Sequence, residues 1–422
     1  MIGGASVADQ LRSHLRAGDG VVISQGTAEP RLLTEALLEG CEGIGPLEMF
    51  LGGGSFSRTF TPERHGGHRL SGYGAVGDHR ALIDSGTMDL IPAHVSSLPD
   101  LLGRQIACEV AMIQVAGPRA DGSFSYGLSS DYTVEAVERA RVVIAELNVN
   151  APVSNCAVGL DPARIDLLVE SDRPLLELPC AQAGELERAI ASHVAPYIAD
   201  RSTLQIGYGA IPEAILATLR THRDLGLHTG VIGDSVVDLI EAGVITNAHK
   251  EVLPGMSVTG ALWGTRRLYD FVDGNEAVRL SRIVETHDQA MLGRLSRLVT
   301  INSAIEVDLT GQVNAEQVGQ KYIGAIGGQV DFVRAGARAA NGASIIALAS
   351  TAKGGSVSKI VARLEGPVTT ARSDVDIIAT ENGAVRLKGL PLRARVKAMI
   401  DLADERFRQQ LSREAYEKYG VL

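Results

Sequence analysis

The sequence predicts an α/β fold made of two successive series of parallel strand–helix units, and three observations carry that reading. Short apolar runs alternate with segments of helical periodicity, the pattern of a parallel sheet with helical crossovers. Several runs are followed by glycine, where the chain must turn sharply out of a strand. Hydrophobic residues make up 45% of the 422 residues and aromatics only 4%, with 47 glycines. Small side chains let helices lie close against buried strands.

Taken in order, residues 7–17 (VADQLRSHLRA) have helical periodicity, which Gly18-Asp19-Gly20 breaks. Val21-Val22-Ile23-Ser24 is a short buried strand, and Gly26 opens a loop into a helix over 30–40 with Pro30 near its first turn. Strands follow at 110–115 (VAMIQV) and 142–147 (RVVIAEL in its setting), with a helix at 132–140 between them. Residues 170–183 read as a connection and 184–200 as a helix. A second series then begins: strand 203–206, glycine turn 207–209, helix 212–222, strand 225–228, helix 234–242, and strands at 297–301, 344–349 and 375–379. The expectation is two α/β halves, 1–185 and 186–422. The charged segment 391–416 reads as one amphipathic helix with a solvated face.

Composition narrows the function. The net charge is −10 and no Lys/Arg block or basic stripe with interleaved aromatics occurs, which argues against nucleic acid. Cys41, Cys108, Cys156 and Cys180 are too widely spaced for a zinc site or a disulfide scaffold. No apolar run reaches about 18 residues, and the N-terminal segment lacks the pattern of a signal peptide. A cytoplasmic protein with no membrane partner and no metal is expected.

Four segments carry candidate chemistry. Gly207-Tyr208-Gly209-Ala210-Ile211-Pro212 follows a strand and opens a helix. Glycines allow close backbone approach and a helix start offers N–H groups to an anion, although a plain tight turn has the same signature. Gly324-Ala325-Ile326-Gly327-Gly328 is a second glycine cluster, and Lys353 in Ser350-Thr351-Ala352-Lys353-Gly354-Gly355 is either a phosphate contact or an exposed loop lysine. That third segment does not follow the full P-loop pattern. Glu306 and Asp308 share one face of a predicted strand ahead of a Thr310-Gly311 turn, a geometry open to acid/base work or to structural hydrogen bonding. Asn314 is either an oxyanion donor or a turn amide.

In this order, LQIGYGAIPEAIL, DLGLHTGVIGDSVVDLIEAGVITN, LYDFVD, INSAIEVDLTGQVNAE, GGQVDFVR, IIALASTAKGG and VTTARSDVDIIATENGAVRLKG resemble the acetyl-CoA hydrolase/transferase family, particularly its 4-hydroxybutyrate and butyrate CoA-transferase branch. The likeness is dense from about 203 to 411 and looser before, where GVVISQGTAEPRLLTEAL still fits. It implies two open α/β CoA-transferase-like domains with the active site between them, a small acyl-CoA thioester as substrate with no permanently bound cofactor, and a dimer or tetramer. It also implies CoA contacts at Gly207, Tyr208, Gly209, Ala210, Ile211, Gly324, Gly327, Gly328 and Lys353. Asn314 and the Gly328 N–H match the family's oxyanion donors.

Two departures stand out. The family's nucleophilic glutamate belongs in a His-Thr-Glu segment that reads His228-Thr229-Gly230 here, and glycine cannot form an acyl anhydride. Where relatives carry Met-Pro-Arg-Thr, this chain has Ala151-Pro152-Val153-Ser154 and no arginine. Three readings follow: an unidentified small-molecule acceptor attacks the bound thioester directly at Gly230, with acyl transfer as the outcome; water attacks with His228 as the nearest base; or the protein binds acyl-CoA without chemistry. Glu306 and Cys156 are alternative nucleophiles.

Overall fold

The computed structural model describes residues 6–40 and 43–420; Cys41 lies outside them. The chain forms two compact units. One comprises residues 1–179, 258–286 and 322–327, the other 180–257, 287–321 and 328–422. The expected single cut at 185 therefore falls six residues past the first crossing at Pro179/Cys180, and it does not anticipate the two later segments, 258–286 and 322–327, that rejoin the first unit.

In the first unit, seven parallel strands form one sheet: β1 Gly20–Ile23, β2 Glu48–Phe50, β3 Arg69–Gly72, β4 Met88–Leu90, β5 Val110–Val115, β6 Val142–Asn148 and β7 Leu167–Ser171. Their spatial order is β7-β6-β5-β1-β2-β3-β4. Strands β1 and β5 are buried at every position, as in sheets covered on both faces. Leu11 on helix Val7–His14 and Leu33 and Leu37 on helix Arg31–Gly40 pack on Val21, Ile23, Met49, Val110, Met112 and Ile144. Within strands β2, β3, β4 and β7 no apolar run exceeds three residues, and Glu48, Arg69, Asp89 and Glu170 lie in them.

In the second unit the sheet contains β8 Thr203–Ile206, β9 Gly226–Leu227, β10 Leu298–Ser303, β11 Ala343–Ala347, β12 Ile377–Thr380 and β13 Gly383–Arg386, in the order β9-β8-β10-β11-β12-β13. All neighbours are parallel except the β12–β13 hairpin. The first five therefore follow the 2-1-3-4-5 order of a doubly wound sheet, with its switch point between β8 and β10. Val333, Ile346, Leu348, Ile378, Val396, Met399 and Leu411 share one core. The expected single helix over 391–416 is two, Leu392–Leu402 and Glu405–Tyr419. Asp404 breaks it, because its carboxylate accepts from the Arg406 N–H and caps the second helix. Among the described residues no helix is long and apolar enough to cross a membrane.

Lys250 lies beneath β9, only 3% exposed, and its Nζ donates to the carbonyl oxygens of Leu227, at 3.0 Å, and Met256. Burial pulls its pKa from the ordinary lysine range down to about 7. The folded state thus holds fewer protons than the unfolded chain between pH 7 and about 10.5, and stability rises with pH across that window. Lys250→Met should abolish that component. Urea midpoints of wild type and variant at pH 6.5 and 9.5 measure it: the wild-type midpoint should gain more on going to pH 9.5 than the variant's, and equal gains would contradict a neutral buried lysine.

Candidate functional site

The carboxyl ends of β8, β9 and β10 are where a doubly wound sheet opens a crevice for ligand. Below this edge, Gln205 and Asn302 exchange two side-chain amide hydrogen bonds across β8 and β10, at 3.0 and 3.3 Å, and lock the two strands that part at the switch point. Directly above, β8 runs into Gly207-Tyr208-Gly209. Gly209 has φ +135°, a conformation that side chains disfavour, and precedes the helix Ala210–Thr218. The whole 207–211 segment is half-buried. The N–H groups of Ala210 and Ile211 thus start a nine-residue helix at the sheet's ligand edge, the arrangement that favours an anion.

The charges around this turn were not legible in the sequence. Glu213 accepts a hydrogen bond from the Ser235 hydroxyl. Burial raises the pKa of Glu213 and, close by, those of Cys180 and Tyr208.

Strand β9 ends in His228-Thr229-Gly230. His228 and Thr229 are fully buried. The His228 N–H donates to Leu204 O, and the Thr229 hydroxyl donates to Ile206 O at 2.9 Å, which fastens the segment to β8. A side chain built on Gly230 would place its Cβ 2.9 Å from Cε1 and 3.1 Å from Nε2 of His287. A Cβ on Gly328 would lie 2.5 Å from the same Nε2. The Nε2 corner of the imidazole therefore occupies a notch that exists because neither position carries a side chain.

His287 is held there from several sides. Its ring packs on Phe332, with centroids 4.7 Å apart and planes at 56°. Asp288 next to it accepts from the Met291 N–H and caps the short helix Gln289–Leu292, and Gln289 Nε2 donates to Asp331 O at 2.7 Å. Gly328 caps the helix Gln329–Arg338 that carries Phe332 and Asp331. His287 is 6% exposed. Burial lowers its pKa to about 3, and the neighbouring His228 acts in the same direction, so the ring is neutral throughout the physiological range. No motif singled His287 out in the sequence. Its role comes from tertiary packing, and the signal that could have found it is the paired absence of side chains at 230 and 328.

Glu306 and Asn314 face each other across the hairpin of strands Glu306–Asp308 and Val313–Asn314. Asn314 is fully buried. Its Nδ2 donates to Glu306 Oε1 (3.0 Å) and Gln317 O (2.8 Å), and its Oδ1 accepts from the Glu316 and Gln317 N–H groups. Both amide hydrogens are thus committed, and the side chain expected as an oxyanion donor serves the turn and holds Glu306. Asp308 likewise accepts from Thr310 and Gln312 through backbone and side chain, so the two acids do not form an acid/base pair. Lys359, not anticipated, donates to Ala304 O. Burial lowers its pKa, while Glu381 and Glu306 pull the other way.

Lys353 sits exposed at the tip of the hairpin Thr351–Ala352/Val357–Ser358, with φ +49°. Gly324 and Gly327 belong to the first unit, where their carbonyls accept from Ala75 and Val95. Cys156 is 3% exposed and its thiol neighbours the Ser125 hydroxyl at 3.3 Å, a core contact. In the altered segment, Ser154 is buried with its hydroxyl donating to Gly127 O. The first unit's own carboxyl edge holds a buried Glu29 that accepts from Thr34, Ser55 and Ser57 and whose pKa burial raises. Beside it a cavity of about 10 Å³, lined by Glu29, Arg31, Gln114, Glu146, Asn148 and Arg173, has room for one water. Among the described residues no group of His, Cys, Asp and Glu is placed to hold a metal.

Comparison with known proteins agrees with this architecture. Residues 69–164 match the acetyl-CoA hydrolase/transferase N-terminal domain and residues 264–415 its C-terminal domain. The chain is 37% identical to a 4-hydroxybutyrate coenzyme A transferase of Clostridium kluyveri, over 97% of this chain and 96% of that one. It is 32% identical to a succinyl-CoA:acetate/propanoyl-CoA:succinate CoA transferase of Fasciola hepatica, over 99% and 89%. The structure of RipA from Yersinia pestis superposes with a TM-score of 0.92 at 30% identity, covering 99% of this chain and 97% of that one. The chain belongs to the acetyl-CoA hydrolase/transferase family, whose enzymes act on CoA thioesters.

Proposed function

We propose that this protein transfers the acyl group of a small acyl-CoA directly to an acceptor, without an intermediate in which acyl group or CoA is bonded to the chain. The observation that carries this is the Gly230 notch. At the position matched to the family's glutamate there is no side chain, and the adjoining space is filled by the imidazole of His287. The remaining acids are engaged elsewhere: Glu306 accepts from Asn314, and Asp308 holds its own turn. Supporting the transfer are the glycine turn 207–211 with its helix start for a CoA phosphate, the exposed Lys353, and the Gly328 N–H for the thioester oxygen as charge develops on it. Gly324 and Gly327 are assigned to CoA by resemblance, and so is a homo-oligomer.

Thiol release from acetyl-, butyryl- and succinyl-CoA, with and without added acceptors, combined with intact protein mass, tests this. CoA should appear only when an acceptor is present, and the protein mass should stay unchanged. Rapid release into water alone would replace transfer by hydrolysis, and a mass gain equal to CoA would restore a covalent nucleophile.

The notch also predicts coupling between positions. Gly230→Glu must displace His287, so it should lose stability by about 1–3 kcal/mol, the usual cost of overpacking. In Gly230→Glu/His287→Ala part of that loss should return, and the double variant should acquire the CoA adduct. Additive melting shifts across the cycle would show that the two residues do not share the space.

A further inference from the structure

We infer that Glu381 is a positioning residue for coenzyme A: together with Lys359 it fixes the stem of the hairpin Thr351–Ala352/Val357–Ser358, so that Lys353 at the tip meets a phosphate of the CoA nucleotide. This rests on the reading of Lys353 as a phosphate contact. CoA binding of this kind is independent of how the acyl group moves.

Both stems of the hairpin are tied to the second unit's sheet. Ser350 opens the hairpin shortly after β11 and is fully buried. Glu381 lies in the turn between β12 and β13. Its two carboxylate oxygens accept from the N–H and the hydroxyl of Ser350, at 2.8 and 2.5 Å. The Ser350 carbonyl accepts from the Lys359 N–H at 2.8 Å and closes the hairpin's base. Above it the pairs Thr351–Ser358 and Ala352–Val357 lead directly to Lys353. On the second stem, Lys359 Nζ donates to Ala304 O just past β10, at 3.1 Å, and Lys359 O accepts from the Val307 N–H. The carboxylates of Glu381 and Glu306 both favour the charged form of that ammonium.

The arrangement matters because of what a lysine is. Its ammonium is a point charge on a flexible four-carbon stem, and an exposed contact from such a group loses most of its strength to side-chain entropy and solvent screening. A stem held at Ser350 and Lys359 leaves only the side chain's own rotamers to be ordered when a phosphate arrives. A hairpin released from Glu381 has its backbone to order as well, and that cost weakens binding. Glu381 therefore acts on CoA through Lys353 and not by touching the ligand.

Titration calorimetry with CoA and with 3′-dephospho-CoA tests this on wild type, Lys353→Ala, Glu381→Ala and the double variant. Lys353→Ala and Glu381→Ala should each weaken CoA about tenfold, the scale of one hydrogen bond to a charged group. The double variant should bind no more weakly than Lys353→Ala alone, because both changes remove the same contact. Glu381→Ala should also follow Lys353→Ala across the two ligands: both losses vanish with dephospho-CoA where the contact is to the ribose phosphate, and both persist where it is to the diphosphate. If melting shows Glu381→Ala to be unfolded, Ser350→Ala, which removes only the hydroxyl, takes its place in the cycle with the same expected non-additivity. Wild-type affinity of the stem variant, losses that add in the double variant, or a stem variant that departs from Lys353→Ala between the two ligands would overturn the inference and leave Lys353 as a phosphate contact. Wild-type affinity of Lys353→Ala would overturn both.

Discussion

One steric constraint organises the second unit's site: an imidazole lies where two glycines leave space for it. A Cβ at either 230 or 328 would come within 2.9 or 2.5 Å of the ring, closer than packed atoms sit. The constraint links three elements far apart in sequence, the end of β9, the turn before Gln289–Leu292 and the start of Gln329–Arg338. Close packing of this kind transmits any change of volume to its neighbours.

The sheet order explains why these elements meet. Strand β8 lies between β9 and β10, so chain leaving β8 and chain leaving β10 diverge to opposite sides and open the edge. The Gln205–Asn302 amide pair holds the two strands together immediately below. Above it the backbone is set by Gly209 and by the Thr229 hydroxyl on Ile206 O. A buried amide pair and a buried hydroxyl are satisfied here by each other and by backbone, which makes the edge rigid without charge.

The sequence showed most of this architecture where strands are buried on both faces. The expected strands 110–115 and 203–206 coincide with β5 and β8, short, largely apolar segments whose length and flanking turn residues favour strand. It failed at β2, β3, β4 and β7, which are short and carry charged residues on their outer positions. The single charged helix expected over 391–416 ignored Asp404, a capping residue that stops one helix and starts another. The glycine turn at 207–209 was legible as a local pattern, and it does follow a strand and open a helix. Asn314 read either way from the sequence, because an amide's partners are supplied only by the folded hairpin. His287 and Lys359 were invisible for the same reason: their surroundings come from distant segments.

The central claim is that acyl-CoA is consumed without a covalent enzyme intermediate. Isotope exchange addresses it most directly. A family enzyme that cycles through an enzyme–CoA thioester moves carboxyl-labelled acetate into unlabelled acetyl-CoA with no other substrate present. Mass spectrometry of the acetyl-CoA pool after incubation with labelled acetate should find no label above the enzyme-free control. Steady incorporation of label into acetyl-CoA would contradict the account and require a nucleophile other than residue 230.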